Sequence, residues 1–200
     1  MPSSPGPDHP TNFAFLDRDG VINADSEAYI KSVAEFHFLP GSVAAIARLT
    51  EAGWRVIVVT NQSVLERGLL SAQGLERIHD HMRRAITQAG GRVLDIFHCP
   101  HGPDDGCDCR KPKPGMILSA QRRYGIDLSQ TVMIGDSARD IACGFNAGCG
   151  CAILVRTGNG PAALRTLNDQ SLAADHVAAD LAAAVEWLLV QGAAGYASAC

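Results

Sequence analysis

The residues best suited to chemistry are two aspartates, Asp17 and Asp19, placed directly after the apolar run at 13–16. Similar runs lead into Thr60-Asn61-Gln62-Ser63, into Arg110-Lys111 by way of a Cys/His loop, and into Gly135-Asp136-Ser137-Ala138-Arg139-Asp140. Carboxylates gathered at one point repel each other and rise in pKa unless a cation joins them, and their hard oxygens suit Mg2+. Lys111 and the Thr60 hydroxyl would supply a positive charge and a neutral donor for the equatorial oxygens of a transferring phosphoryl group. Asp17, ionised at neutral pH, could attack phosphorus without a base and form an aspartyl phosphate. Asp19, two residues on, would protonate the leaving oxygen and then deprotonate the attacking water.

Cys99, His101, Cys107 and Cys109 follow the pattern C-x-H-x5-C-x-C. Three thiolates and one imidazole make a closed tetrahedral Zn2+ set that leaves no position for catalysis. The odd total of seven cysteines, the short 107–109 spacing and a reducing compartment all argue against disulfides. The expected work of the zinc is structural: it ties down a loop poor in apolar residues and so holds Arg110 and Lys111 toward a phosphate. His98 is an alternative donor, read instead as a packed or surface imidazole at a strand end. Cys143, Cys149 and Cys151 have no histidine among them and read as small buried apolar residues.

Elements of fixed geometry must carry these groups, and the composition allows them. The chain has 200 residues, 46% of them hydrophobic and 19% charged, enough for one domain with a full core and against disorder. A formal charge of −4 excludes a broad cationic footprint for nucleic acid or anionic lipid. No apolar run approaches the ~20 residues of a membrane span, and the opening residues lack the pattern of a signal peptide. The expectation is a cytoplasmic monomer acting on a small soluble molecule, with no nucleic-acid or membrane partner.

Five short apolar runs at 13–16, 55–59, 93–97, 131–134 and 152–155 read as strands buried on both faces. Between Ser71, a candidate N-cap, and the Gly90-Gly91 stop, Leu75, Ile78, Met82 and Ile86 recur at helical spacing. Further helices are expected at about 41–52, 114–124, 138–147 and 180–190. The alternation predicts an α/β fold with a single Rossmann-like, doubly wound parallel sheet and a zinc-bound loop. Residues 12–192 would form the phosphatase domain, with an arm at 1–11 and a tail at 193–200. Only about twenty residues separate the first strand from the next helix, too few for a lid domain, so the site should be capless.

In this order, each after a strand, Asp17-Arg18-Asp19-Gly20, Thr60-Asn61, Lys111 and Gly135-Asp136 with Asp140 resemble the four motifs of the haloacid dehalogenase-type phosphatases over about residues 13–155. The Cys/His loop followed by Arg110-Lys111-Pro112-Lys113-Pro114-Gly115 resembles the histidinol-phosphatase subgroup. The resemblance implies Asp17 as nucleophile, Asp19 as general acid and base, and Thr60 and Lys111 as phosphoryl stabilisers. It also implies Mg2+ held by Asp17, Asp136 and the backbone carbonyl of Asp19, with Asn61 and Arg110 contacting substrate. The implied reaction is loss of the C7 phosphate from a heptose bisphosphate, a step toward nucleotide-activated heptose for lipopolysaccharide. Histidinol phosphate is the alternative substrate. A non-catalytic phospho-acceptor or phosphosugar-binding module is the alternative of another class, and it would have little use for Asp19.

Two positions depart from the family pattern: Val64 stands where Gly is common, and Ser137 where some members carry Lys, leaving Arg139 as a stand-in cation. Specificity is expected to rest on residues 23–31 and 64–68 and on the zinc loop, with Lys31 and Arg67 as weaker candidates for a second phosphate. Structural readings compete at several places. Thr60-Asn61 suits a turn, Asp136 and Asp140 suit capping of the next helix, and Lys31, Arg67 and Arg139 suit a solvated surface.

Overall fold

In a computed structural model that describes residues 12–192, the alternating signals become six parallel strands and six α-helices. The arm expected at 1–11 and the tail at 193–200 lie outside the described residues. The strands are β1 (Phe13–Leu16), β2 (Arg55–Asn61), β3 (Val93–Cys99), β4 (Thr131–Gly135), β5 (Cys151–Val155) and β6 (His176–Ala178). The helices are α1 (Ser42–Glu51), α2 (Ala72–Gln88), α3 (Gly115–Tyr124), α4 (Ala138–Ala147), α5 (Gly160–Asp169) and α6 (Leu181–Gly192).

The sheet order is β3-β2-β1-β4-β5-β6. Chain direction along the sheet therefore reverses between β1 and β4, which pair in register from Phe13 with Thr131 to Leu16 with Ile134. In doubly wound sheets the crevice beyond the carboxyl ends at that reversal is where ligands bind. All residues of β1, β4 and β5 are buried, as uninterrupted apolar runs covered on both faces require.

Strand residues alternate between the two faces. Ala14, Leu16, Val56, Val58 and Ile134 pack with Ile46 and Leu49 of α1, Ile78 and Met82 of α2, and Val185 and Leu188 of α6. Phe13, Phe15, Ile57, Val59 and Met133 pack with Met116 and Ile117 of α3 and Cys143 of α4. The Ser71 side chain accepts a hydrogen bond from Gly74 N at 3.0 Å and caps α2, and Gly90 at φ +85° follows its end.

The sequence reading underestimates the sheet by one strand and misses one helix. β6 has three residues, too few for a periodic signal. α5 opens with Gly160-Pro161, which reads as a turn; proline is nevertheless compatible with a first helical turn, where its missing N–H would have no partner. Three expected loop positions also belong to strands. Thr60 and Asn61 end β2, and Cys99 ends β3. Residues 17–41 connect β1 to α1 without forming a separate unit; Val21, Ile22, Ile30 and Phe36 join the core beneath the crevice.

Candidate active site

The crevice at the ends of β1, β2 and β4 is a cavity of about 300 Å3, lined among others by Asp17, Asp19, Thr60, Asn61, Arg110, Lys111, Asp136 and Asp140. Asp17 is fixed by the strand before it: its N–H donates to Ile134 O of β4 at 3.0 Å, continuing the ladder one residue past Leu16. Its Oδ1 accepts from Arg18 N at 2.7 Å and lies 2.8 Å from Lys111 Nζ. Lys111 is buried. Its Nζ donates to Val59 O at 2.9 Å and pairs with Asp140 Oδ1 at 2.7 Å, so Asp17 after β1, the β2 backbone and the first turn of α4 together hold one ammonium. Burial alone would lower the pKa of that ammonium, but Asp140 and Asp17 outweigh it and raise it above the ordinary lysine range.

Asn61 lines the cavity, and its amide also clamps the Lys111 backbone, Oδ1 accepting from Lys111 N at 3.1 Å and Nδ2 donating to Lys111 O at 3.3 Å. Thr60 is buried, and its Oγ1 accepts from Gln62 Nε2 at 2.9 Å. Gln62 Nε2 also donates to Asp19 Oδ2 at 2.8 Å, linking the expected acid to the expected phosphoryl stabiliser Thr60. Asp19 faces away from the other carboxylates. Its oxygens receive Arg18 Nε and Nη2 and Asn23 Nδ2 as well as Gln62. Burial would raise the Asp19 carboxyl, but the Arg18 guanidinium and the two amides hold it below the usual carboxylate range.

Asp17, Asp136 and Asp140 each present an oxygen within 4.8 Å of the others. Burial first, then facing carboxylates, pushes Asp17 well above its ordinary value and Asp136 up to about 7. Such crowding of hard oxygens is what a divalent cation relieves, so the donor set fits Mg2+. Asp140 serves two structural ends as well. Its Oδ2 accepts from Ser137 N and Oγ at 2.9 and 2.6 Å and completes the capping box of α4, so the capping reading holds alongside the site.

The loop after β5 closes over Asp136. Asn159 N donates to Asp136 Oδ2 at 2.7 Å, and Asn159 Nδ2 reaches both that oxygen and Asp25 Oδ2, at 3.3 and 2.9 Å. Thr157 Oγ1 donates to Gly20 O at 2.6 Å. A Cβ on Gly158 would stand 2.2 Å from Asp136 Oδ2, and one on Gly20 would stand 2.0 Å from it, so backbone without side chains is required on both sides of this carboxylate.

The Cys/His loop forms one cluster. Cys109 Sγ lies 3.2 Å from Cys99 Sγ, 3.5 Å from Cys107 Sγ and 3.3 Å from His101 Nδ1, and Cys99 Sγ lies 3.6 Å from both Cys107 Sγ and His101 Nδ1. All four donors lie within 4.8 Å of one another, without a disulfide among them, and three sulfurs with one imidazole fit Zn2+. His98 is outside the cluster, with its ring 5.9 Å from that of His79.

Arg110 lines the cavity while its Nη1 donates to His101 O at 3.0 Å. Lys31 and Arg67 do not line it: Lys31 Nζ bonds Ala28 O and Tyr29 O and lies 3.4 Å from Glu35, and the Arg67 guanidinium sits 5.7 Å from the Tyr29 ring centre. Val64 is buried beneath its loop. Sequence reasoning assigns no role to Gln62 or to the Arg18–His79 contact, and it marks Asn159 only within Thr157-Gly158-Asn159-Gly160, a run that resembles the family pattern. Gln62 adjoins the Thr60-Asn61 motif and Asn159 lies in a Gly-flanked turn, which were available signals; His79 reads only as one residue of an amphipathic helix.

An aspartate directly after β1, a hydroxyl at the end of β2 and an acidic turn after β4, joined by a buried lysine, suit a phosphoryl-transferring hydrolase on a parallel α/β sheet. Family comparison agrees. The profile described as haloacid dehalogenase-like hydrolase matches residues 12–144, a HAD-hydrolase-like profile matches residues 108–184, and the chain belongs to the haloacid dehalogenase-like hydrolases. Among its relatives, the D-glycero-beta-D-manno-heptose-1,7-bisphosphate 7-phosphatase of Bordetella bronchiseptica is 53% identical over 175 residues, 87% of this chain and 96% of the relative. The enzyme of the same name from Pseudomonas aeruginosa is 47% identical over 87% of this chain and 96% of its own. The crystal structure of D,D-heptose 1,7-bisphosphate phosphatase from B. bronchiseptica, complexed with magnesium and phosphate, superposes with a TM-score of 0.85 at 50% identity, covering 90% of this chain and 99% of that one.

Proposed function

We propose that this chain is a Mg2+-dependent phosphomonoesterase that removes the C7 phosphate of D-glycero-D-manno-heptose 1,7-bisphosphate, with the β anomer as substrate. The observation that carries the reading is the meeting of Asp17, Asp136 and Asp140 oxygens within 4.8 Å, with Lys111 Nζ 2.8 Å from Asp17. Relatives at 53% and 47% identity that bear the β-anomer name support the choice of sugar.

Asp17 attacks phosphorus as the bond to the sugar oxygen breaks, giving an aspartyl phosphate, and Asp19 passes a proton to the departing O7. Water then attacks phosphorus, Asp19 takes its proton, the bond from Asp17 to phosphorus breaks and inorganic phosphate leaves. To act as the acid, Asp19 turns from Arg18, Asn23 and Gln62 toward the sugar oxygen, which removes the contacts that lower its pKa, and carries in a proton taken from solvent. Lys111 and the Thr60 hydroxyl compensate charge on the transferring group, while Asn61 holds the Lys111 backbone and Arg110 meets the substrate. Asp17, Asp136 and the main-chain carbonyl of Asp19 would hold Mg2+, which supplies positive charge to the phosphoryl oxygens when bound.

Cys99, His101, Cys107 and Cys109 would hold a structural Zn2+ that fixes the loop carrying Arg110. A reducing cytoplasm keeps these donors unoxidised, and the cavity suits a small phosphosugar bound by a single chain.

The test is phosphate release by the purified protein from the α and β heptose bisphosphates and from histidinol phosphate. The β bisphosphate should give the highest kcat/KM, and Asp17→Asn should abolish turnover while leaving the circular dichroism spectrum unchanged. Full activity in Asp17→Asn, or a preference for histidinol phosphate, overturns the reading.

A further inference from the structure

Arg18 is only 1% exposed, and its guanidinium has two attachments. Its Nε and Nη2 donate to Asp19 Oδ1 at 3.2 and 2.9 Å, and Nη2 also donates to Oδ2 at 3.0 Å. On the other side, its Nη1 lies 3.4 Å from His79 Nε2. Among the described residues, Asp19 is the only carboxylate that pairs with this cation. His79 is as deeply buried as Arg18 and stands on the inner face of α2 with Leu75, Ile78 and Met82. It does not line the active-site cavity.

The two attachments serve at different moments. To reach the leaving oxygen, Asp19 turns away from Arg18, and the enclosed guanidinium cannot follow it. A buried charge stripped of its partner is strongly disfavoured, so the arginine opposes the release of the carboxyl. Arginine only donates, so its contact with His79 requires an acceptor at Nε2. At 3.4 Å this contact is the weaker of the two while Asp19 is at rest; after Asp19 has turned, it is the one that remains. His79 therefore stabilises the arrangement in which Asp19 faces the substrate more than the one in which Asp19 faces Arg18. An apolar side chain at position 79 would leave Nη1 without an acceptor at that moment and hold Asp19 back.

We propose that His79 is a positioning residue for the acid step: it accepts from Arg18 as Asp19 turns to the leaving oxygen, and so lets a buried arginine release the catalytic carboxyl. The proposal rests on the phosphatase reading above, in which Asp19 protonates O7, and adds to it a residue that acts from outside the cavity.

The experiment varies the leaving group. As the bond from phosphorus to O7 breaks, the Asp19 proton goes to O7, whereas 2,4-dinitrophenolate departs as a stable anion and needs no proton. The ratio of kcat/KM for the heptose 1,7-bisphosphate to kcat/KM for 2,4-dinitrophenyl phosphate therefore reads the acid step, and a general loss of folded protein leaves it unmoved. His79→Leu and His79→Met remove the acceptor and should each lower the ratio about tenfold, the worth of a hydrogen bond to a charged group. Methionine adapts its shape and serves where leucine packs too poorly to fold. His79→Gln keeps an acceptor and should restore most of the ratio. An unchanged ratio in the apolar variants, or an equal fall in His79→Gln, overturns the role of His79 while leaving the phosphatase reading intact. A wild-type ratio in Asp19→Asn would show that Asp19 is not the acid, and would overturn that part of the reading and this proposal together.

Discussion

Lys111 and Asp140, 29 positions apart in sequence, form a buried ion pair at 2.7 Å, with Asp17 on the other side of the same ammonium at 2.8 Å. Asp140 therefore joins the cap of α4 to the phosphoryl site, because one carboxylate accepts from Ser137 and neutralises Lys111. Without it, the buried ammonium would face a single carboxylate, that of Asp17.

Asp140→Asn should lower kcat at least tenfold and destabilise the fold by about 3 kcal/mol, the lower end of the range for breaking a buried pair because Asp17 still faces Lys111. Asparagine can keep the Ser137 cap, so the loss reports on Lys111. Urea unfolding alongside steady-state kinetics would check it, and unchanged values in both would contradict the shared role.

Gly158→Ala should weaken Mg2+ binding roughly 10- to 100-fold, in the range seen when groups behind a metal ligand are disturbed. The added Cβ would lie 2.2 Å from Asp136 Oδ2 and 2.6 Å from Gly20 Cα, at φ +53°. Titration calorimetry with Mg2+ on the substrate-free protein measures this without reference to turnover; affinity equal to wild type would show that the turn does not position Asp136.

Most of the site was legible because its members are polar residues at the ends of apolar strands, where a side chain cannot be explained by packing. Asp17, Thr60 and Asp136 meet that description, Lys111 follows the Cys/His loop beyond β3, and the structure brings all four to one cavity. The Arg18–His79 contact was hidden because a histidine on the buried stripe of α2 differs from a core residue only in what it touches, and that partner is 61 positions away. Likewise β6 is too short, and α5 too turn-like at its start, for local pattern to compete with tertiary pairing.

Cys109→Ser should reduce bound zinc from about one per chain to a trace and lower Tm by ~5 °C or more. Burial and the neighbouring sulfurs of Cys99 and Cys107 push the Cys109 thiol up to about 12, so without a cation Cys109 stays protonated. Metal analysis and thermal denaturation give the two readouts. Full zinc content in the variant would remove Cys109 from the donor set.

His79 sets a pH limit on the fold. Arg18 can only donate, so in the 3.4 Å contact between Arg18 Nη1 and His79 Nε2 the imidazole must accept and remain neutral. Burial, then the charge of Arg18, then His98 and Arg83 outweigh the opposing pull of Asp19 and lower the pKa of His79 to about 3, against an ordinary 6.5. Between those values the unfolded chain binds a proton at this residue that the folded chain refuses, so the His79 contribution is complete above pH 6.5 and is lost as pH falls. From pH 7 to pH 5 the loss is about 2 kcal/mol. His79→Gln keeps an acceptor for Arg18 but cannot titrate, and carboxylates common to both proteins cancel in the comparison. The variant should therefore lose about 2 kcal/mol less than wild type over that range in urea unfolding, and parallel pH profiles would show that His79 is protonated alike in both states.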